Sequence, residues 1–280
     1  MIRGLRQTHS LDILLLVAQL PRSTYYYHIK QQLKPDKYAA VKERITAIYH
    51  ENKGRYGYRR MTIALRQGGF GLNHKTVQRL MGELSLVCRV RMKKYRSYKG
   101  EIGRIAPNLL ERNFEAAKPN QKWVTDVTEF NLFGQKLYLS PILDLHSRDI
   151  VSYTLVDRPV LSMAIGMLDR AFAQIPDGTN LILHSDQGWQ YQHKQYQRRL
   201  RNKGIRQSMR RKGNCLDNAV IENFFGILKT ELLYLQSFDS MDHFKSELVD
   251  YLDYYNNRRI KSKLKGLSPA SHRSQALNVS

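Results

Sequence analysis

The stretch LILHSDQGWQY, residues 181–191, places a short apolar run directly before a single carboxylate. The run from Leu181 to Leu183 is typical of a buried strand, and Gly188 indicates a turn shortly after it. Asp186 therefore stands where a buried strand ends and a loop begins. Such an aspartate either stabilises the turn or belongs to a functional cluster whose other members come from distant parts of the chain.

The elements around this strand predict an α/β fold. Residues 123–132 and 136–145 are rich in β-branched and aromatic side chains, and Phe133-Gly134-Gln135 between them predicts a hairpin. The remaining predicted elements are a strand at 150–156, a helix at 162–175, a strand at 180–184, a helix at 194–202, a strand at 205–209 and a helix at 219–233. The order β-β-β-α-β-α-β-α is typical of a mixed sheet with helices on its faces.

The N-terminal part has helical periodicity instead. Helices are predicted at Leu11–Leu20, after a Ser23 cap, at Tyr58–Gln67 and after an Asn73 cap. The last of these has an apolar stripe of Val77, Leu80, Met81 and Leu84, with Lys75 and Arg79 on the opposite face. A helix, a glycine turn and a basic-faced helix form the layout of a helix-turn-helix, although a plain helical bundle with solvated lysines is the alternative. We predict an all-α helix-turn-helix DNA-binding region at 1–85.

Residues 86–117 are predicted to be a basic linker. Two tyrosines, Tyr95 and Tyr98, are interleaved there with Arg89, Arg91, Lys93, Lys94, Arg96 and Lys99. This composition suits a segment that lies along a phosphate backbone, and it suits a solvated tether equally well. Residues 118–280 then form the predicted α/β core with a C-terminal helical tail.

The charge of the chain indicates a polyanionic partner. Lysine and arginine total 46 against 24 acidic residues, a formal net charge of +22. The excess is largest in residues 1–117, which hold 23 basic and 8 acidic side chains. Nucleic acid is the commonest partner of such a surplus, although a ribosomal protein or a membrane-surface binder would show the same balance.

Cysteine usage and hydropathy indicate a soluble protein of the cytoplasm. Cys88 and Cys215 cannot build a disulfide framework, and neither belongs to a C-x-x-C pair, which argues against structural zinc. The basic and then apolar N-terminus resembles a secretion signal, but Asp12 and Gln19 interrupt the apolar run. No run reaches the ~18 apolar residues that span a bilayer.

Asp126 and Glu222 are the candidate partners of Asp186. Asp126 lies inside the predicted strand 123–132 among β-branched residues, where an acid is rare without a use. Glu222 lies early in the last predicted helix, and Lys229 falls two turns later on about the same face. Three such carboxylates suit phosphodiester cleavage, because a pair of Mg²⁺ (or Mn²⁺) ions about 3.5–4 Å apart takes oxygen ligands and activates water. Carboxylates so close together repel one another unless cations are present.

The residues between two of these acids strengthen the interpretation. The separation of Asp186 and Glu222, with 35 residues between them, carries little weight by itself. However, residues 187–216 contain nine basic and no acidic side chains, which indicates a path for phosphates toward the acids. The candidate DNA contacts are Arg198, Arg199, Arg210, Arg211, Lys212 and Lys229, together with Lys75 and Arg79 in the first region.

Four motifs carry a resemblance to a known family. They are TDVTEF, HSDQGWQY, SMRRKGNCLDNAVIENFFGILKTE and YYNNRRIKSKLKGLSPA, in this order and over nearly the whole chain. They resemble the orfB-type catalytic subunit of bacterial insertion-sequence transposases (the IS-three family), whose core is similar to retroviral integrases. The resemblance implies a ribonuclease-H-like fold for 118–280, and a metal-binding catalytic triad at Asp126, Asp186 and Glu222. It also implies that Lys229 lies near the donor DNA end. Arg210 departs from the serine that is usual at its position in the family.

The expected function is that of a DNA transposase. Metal-activated water cleaves the 3′ end of the element, and the freed 3′-hydroxyl attacks another phosphodiester without a covalent protein–DNA intermediate. The resemblance implies terminal inverted repeats, target DNA and further copies of the chain as partners. It also implies an upstream-frame product with a helix-turn-helix and leucine zipper, and a place in the bacterial cytoplasm at the nucleoid. The alternatives are a ribonuclease-H-like nuclease that does not join ends and a non-catalytic DNA-binding regulator.

Other conspicuous residues favour structural roles. Asp144 is expected to stabilise a turn rather than to bind metal. His184 is expected to be a core histidine rather than a residue that orients Asp186. Trp189 and Tyr191 could stack on unpaired bases or pack over their own loop. Asp217 or Asn218 is expected to cap the helix that carries Glu222.

Overall fold

The computed structural model describes residues 2–32, 35–90, 105–211 and 215–278. The helices are α1 (Ile2–Leu5), α2 (Leu11–Val17), α3 (Arg22–Gln32), α4 (Ala39–Glu51), α5 (Tyr58–Gln67), α6 (His74–Glu83), α7 (Leu161–Phe172), α8 (Trp189–Gln192), α9 (Lys194–Lys203), α10 (Ala219–Leu228), α11 (Met241–Asp253) and α12 (Pro269–Asn278). The strands are β1 (Lys122–Thr125), β2 (Thr128–Leu132), β3 (Gln135–Asp144), β4 (Ile150–Val156), β5 (Ile182–Ser185) and β6 (Arg206–Met209). None of these helices is both long and apolar enough to cross a bilayer.

The strands form one mixed sheet, as the sequence predicts. The strands β2, β3 and β4 pair in antiparallel fashion, and β1 is antiparallel to β3. The strands β1, β5 and β6 are parallel neighbours, connected through crossovers that contain α7 and α9. Parallel neighbours need such crossovers, which explains why the alternating part of the sequence forms this half of the sheet.

Side-chain alternation divides the sheet into two buried faces. Trp123 and Leu183 pack in a cluster with α7 and α9, whereas their neighbours Val124 and Ile182 pack in a cluster with α10 and α11. Successive side chains in a strand point to opposite faces, so strands buried on both faces carry apolar residues at every position. The apolar run of β5 therefore has the structure that its sequence predicts.

The predicted first strand is broken, which corrects the placement of Asp126 inside a strand. The prediction covered residues 123–132, but the structure has β1 and β2 with Asp126 and Val127 between them. Both strands pair with β3 in one register, since Thr125 lies opposite Ile142 and Thr128 opposite Leu139. At the break, Oδ1 of Asp126 accepts a hydrogen bond from the Val127 N–H at 2.7 Å. An aspartate that bonds its neighbouring backbone competes with strand pairing.

The hairpin between β2 and β3 turns where it was expected. Phe133 and Gly134 both have positive φ, at 55° and 69°. Two left-handed residues suit a two-residue hairpin turn of the I′ type, because its twist matches that of the strands.

The N-terminal region contains the predicted helix pair. The helix α5 ends before Gly68, and α6 begins after Asn73, whose side chain accepts from the Lys75 N–H at 2.9 Å. Val77, Leu80 and Met81 are buried against α4 and α5, so the apolar stripe is confirmed. One prediction is wrong, because α3 begins at Arg22 and Ser23 lies in its first turn rather than at its cap.

The buried residue Glu231 joins this helical region to the core. Glu231, in the π-helical turn Lys229–Leu233, binds Arg259 through two hydrogen bonds of 2.7 and 2.8 Å. Arg60 of α5 donates to the same carboxylate at 3.2 Å, and Arg55 donates to the Glu231 carbonyl at 2.9 Å. The described part of the chain thus has one continuous apolar cluster that spans both regions.

The described ends of the predicted linker pack on the core. Arg89 donates to the Leu235 carbonyl at 3.0 Å, an intramolecular contact rather than an extended tether. Leu110 is buried, and the Leu109 N–H donates to the Ser208 hydroxyl at 2.8 Å. The other basic and aromatic residues that motivated the linker prediction, at 91–99, lie outside the described residues.

Candidate active site

The candidate site lies where three parallel strands end. In the β1–β5 pair Val124 lies opposite His184, and in the β5–β6 pair Ser185 lies opposite Met209. Continued past the strand ends, these registers align Asp126, Asp186 and Arg210 in one row. Parallel strands end at the same edge of a sheet, which is where sites in such sheets commonly form.

Side-chain alternation directs this row toward α10. Asp126 is two residues after Val124, and Asp186 is four after Ile182, so both share the face that packs against α10. Glu222 lies in the first turn of α10, whose buried residues Ile221, Phe224, Phe225 and Leu228 hold the helix against that face. The carboxylates of two strand ends and one helix therefore face a common space.

Short local contacts fix the two aspartates. Oδ2 of Asp126 accepts from Nδ2 of Asn218 at 3.0 Å, while its Oδ1 accepts from the Val127 N–H. Oδ1 of Asp186 accepts from the Gly188 N–H at 2.8 Å. A Cβ at Gly188 would lie 2.9 Å from this oxygen and 2.6 Å from Nε2 of Gln190, so only glycine fits there without movement.

Arg210 lies between two of the carboxylates. Its guanidinium nitrogens are 3.8 Å from Oδ2 of Asp186 and 4.0 Å from Oε1 of Glu222. The three side chains are largely buried, with exposed fractions of 19%, 24% and 18% respectively. The sequence predicted Arg210 as a DNA contact, and the structure places its side chain beside the two acids.

The electrostatics are those of a carboxylate cluster with one compensating cation. Burial, and then the charge of Asp186, raise the pKa of Asp126 well above its usual value, while Arg210 opposes the shift. Burial also raises the pKa of Asp186, against the Gly188 N–H and Arg210. Burial and Asp186 raise the pKa of Glu222, again against Arg210. These acids ionise reluctantly without a further positive charge.

The donor set fits a divalent cation in its chemistry. All three acids offer hard oxygen ligands, and Oδ1 of Asn218 is a buried acceptor without a partner among the described residues. As they stand, however, no three acidic, histidine or cysteine side chains in the described ranges converge closely enough to hold one ion.

The residues before α10 do not cap it, which corrects the sequence prediction. Asp217 accepts hydrogen bonds from Arg112 and Arg211 at 3.1 Å, and from Nδ2 of Asn108 at 2.9 Å. These partners hold the pKa of Asp217 well below its usual value, with the Arg211 hydrogen bond the largest cause. Asn218 is turned toward Asp126 instead. The sequence missed this contact, although the i, i+4 spacing of Asn218 and Glu222 places both on one face.

Other conspicuous residues take structural roles. Asp144 accepts from the N–H groups of His146 and Ser147, so its predicted turn chemistry is confirmed. His184 is buried with Nδ1 2.8 Å from the Ser208 hydroxyl, and burial lowers the pKa of His184 to about 4, as for a neutral core histidine. Tyr191 is fully buried, which excludes base stacking by its ring in this conformation, whereas Trp189 is 53% exposed.

The candidate DNA contacts differ in their surroundings. Lys75, Arg79, Arg198 and Arg199 are exposed on α6 and α9, with Arg79 paired to Glu83 and Arg199 to Asp169. Arg211 forms an ion pair with Asp217, and Lys212 lies outside the described residues. Lys229 is half-buried with its ammonium 5.9 Å from the Phe130 ring centroid. Burial lowers the pKa of Lys229, while Glu129 opposes the shift.

Family models match three parts of the chain. Residues 116–215 and 222–277 match models described as an integrase core domain, and residues 36–94 match a model described as an HTH-like domain. The first two ranges contain the three acids, and the third contains the helix pair α5–α6.

Individual proteins are similar to this chain over most of its length. The chain is 56% identical to the InsK protein of insertion sequence element IS150 from Escherichia coli, over 98% of this chain and 97% of that one. It is 34% identical to transposase InsF of insertion sequence IS3A from Escherichia coli, over 80% and 79%. The HTLV-2 integrase catalytic core in complex with magnesium is 19% identical, with a TM-score of 0.46, over 57% and 99%. The chain therefore belongs to the IS3 family of insertion-sequence DDE transposases, whose catalytic part is an integrase core domain.

Proposed function

We propose that this protein cleaves the 3′ ends of an insertion element and transfers them to target DNA, with Asp126, Asp186 and Glu222 as the catalytic, metal-holding residues. The observation that carries the proposal is the gathering of these acids at one edge of the sheet around Arg210. Crowded carboxylates with raised pKa values are costly, and such sites cluster where function requires them.

The protein's own residues would prepare the site for its cations. Asp126, Asp186 and Glu222 would hold Mg²⁺ or Mn²⁺, as two ions, which supply an activated water and stabilise the leaving oxygen. The N–H groups of Val127 and Gly188 orient the two aspartates, and Asn218 holds the remaining oxygen of Asp126. These hydrogen bonds fix the orientation of the two aspartates before a cation binds.

DNA binding is proposed to be divided along the chain. Residues 1–85 would recognise the terminal inverted repeats, with Lys75 and Arg79 on the exposed face of α6. Residues 86–117 would link this region to the core at 118–280, where Arg198 and Arg199 on α9 would contact phosphates. Lys229 is proposed to lie beside the donor end, since it lies two turns beyond Glu222.

The chain is further proposed to act as a homo-oligomer that pairs both ends of the element. An upstream-frame product with its own helix-turn-helix and leucine zipper would join this assembly, as a separate subunit or as a fusion. Membership of the family supports both proposals, and the mass of the complex on paired-end DNA, measured with and without that product, tests them.

Three single substitutions test the catalytic assignment. Asp126→Asn, Asp186→Asn and Glu222→Gln should each abolish strand transfer of labelled element ends while end binding persists. Asp239→Asn is the matched control, because Asp239 is an exposed aspartate before α11. Full strand transfer by any one of the three site variants would refute its assignment.

The same assay separates the proposal from its rivals. A ribonuclease-H-like nuclease would release the labelled end without joining it to target DNA. A non-catalytic regulator would bind ends and produce neither cut nor joined strands at any Mg²⁺ concentration. Joined product that requires Mg²⁺ and all three acids supports the transposase.

A further inference from the structure

Arg210 is held in the acidic site by its main chain and only loosely by its side chain. Its N–H donates to the Ser185 carbonyl at 3.0 Å, and its carbonyl accepts from Nε2 of Gln187 at 2.9 Å. The first bond extends the β5–β6 pairing by one residue, and both bonds hold the backbone of Arg210 next to Asp186. The guanidinium, in contrast, approaches Asp186 and Glu222 at 3.8 and 4.0 Å, beyond hydrogen-bonding distance.

A structural ion pair in the same protein looks different. Arg259 binds Glu231 through two hydrogen bonds of 2.7 and 2.8 Å, and both side chains are almost fully buried. Such a bidentate pair is fixed in geometry. Arg210 instead supplies charge to two carboxylates without chelating either of them, so moving its side chain breaks no hydrogen bond to the acids.

The charge that Arg210 supplies acts on all three acids. Its guanidinium opposes the upward pKa shifts of Asp126, Asp186 and Glu222. A divalent cation among these acids would do the same more strongly, since it carries twice the charge. It would also repel the guanidinium, which lies between the oxygens that such a cation would bind.

We propose that the Arg210 guanidinium is a displaceable counter-ion of this site, which competes with a divalent cation for Asp186 and Glu222. Before both carboxylates can bind one cation, the Arg210 side chain must rotate away from them while its backbone stays in place. This inference rests on the proposed function, because it takes Asp186 and Glu222 to be metal ligands.

The test measures Mn²⁺ binding to the full chain without DNA, by electron paramagnetic resonance of the free ion. Arg210→Gln should lower the Mn²⁺ dissociation constant on the order of tenfold, because the competing charge is gone. Arg210→Lys keeps the charge, so its dissociation constant should lie closer to that of the wild type. Arg206→Gln is the matched control, since Arg206 is an exposed arginine at the start of β6, the strand that ends just before Arg210.

The melting temperature is a second measurement, and it does not depend on catalytic activity. Without added metal, Arg210→Gln should melt at a lower temperature than the wild type, because the three acids lose their compensating charge. Mn²⁺ should then raise its melting temperature by more than it raises that of the wild type. If Arg210→Gln does not fold, Arg210→Ser repeats both measurements with a small neutral side chain.

The outcomes separate this inference from the proposed function. Asp186→Asn and Glu222→Gln are titrated in parallel. If they remove Mn²⁺ binding while the neutral Arg210 variants bind as the wild type does or more weakly, the counter-ion inference is overturned and the metal site stands. If Mn²⁺ binding is insensitive to all of these substitutions, the proposed metal site is wrong and the inference falls with it.

Discussion

Nδ2 of Asn218 lies 3.0 Å from Oδ2 of Asp126 and joins the start of α10 to the end of β1. The two residues are separated by 92 positions in the chain, yet this bond orients the carboxylate that the strand break presents. Asn218 lies one helical turn before Glu222, so the same helix supplies one acid of the site and positions another.

Removal of the Asn218 amide should therefore impair the site without unfolding the protein. Asn218→Ala should reduce the strand-transfer rate and weaken Mn²⁺ binding, each by about 10- to 100-fold, as for partners that orient metal ligands. Both are measured on the full chain, with Asn223→Ala as the control because Asn223 is exposed on the same helix. Unchanged Mn²⁺ affinity would show that Asn218 does not position Asp126.

The buried ion pair between Glu231 and Arg259 should be a major stabilising contact of the core, at the place where Arg60 of the N-terminal helices also binds Glu231. Glu231→Gln should lower the free energy of unfolding by about 3–5 kcal/mol, because it leaves the Arg259 charge buried without its counter-ion. Urea denaturation measures the change. Glu129→Gln, which breaks the exposed pair with Lys136, should cost less than about 1 kcal/mol. Equal losses for the two variants would contradict this assignment.

The free energy of unfolding should rise with pH because of Lys261. Burial, and then the charges of Arg259 and Arg148, lower the pKa of Lys261 from 10.5 to about 6. Between these values the unfolded chain binds a proton that the folded protein does not, so stability rises with pH across this window. Lys261→Met should be more stable than the wild type near neutral pH, and its advantage should shrink as the pH approaches 10.5.

Urea-denaturation midpoints at several pH values measure this difference. Lys263→Met is the control, because Lys263 is exposed two residues away. A constant difference between Lys261→Met and the wild type over the whole window would mean that Lys261 does not titrate with a depressed pKa.

The basic face of α6 should contribute salt-dependent DNA binding. Lys75→Ala should weaken binding of element ends and reduce the slope of log affinity against log salt by about one, if it removes one phosphate contact. Arg79→Ala should have a smaller effect, since its guanidinium already pairs with Glu83. Fluorescence anisotropy over a salt series measures both. Lys245→Ala, at an exposed lysine of α11, should leave the slope unchanged.

Local sequence patterns were sufficient for most individual elements. The Asn73 cap, the apolar stripe of α6 and the turn at Phe133-Gly134 each depend on residues within a few positions of one another. The same patterns placed Asp186 at a strand end and Glu222 in a helix, because apolar periodicity reports the local structure that buries it. The break at Asp126 could not be predicted in this way, since a β-rich run does not reveal that one side chain bonds the backbone within it.

The sequence by itself determined the types and order of most elements, the position of Asp186 at a strand end and that of Glu222 in a helix. Only the tertiary structure decided which distant side chains meet. In the candidate site it places Arg210 beside Asp186 and Glu222 and Asn218 against Asp126, and elsewhere it pairs Glu231 with Arg259. The reason is physical. Periodicity constrains which face of one element is buried, whereas the pairing of strands and the seating of a helix on a sheet depend on how all the buried faces pack together.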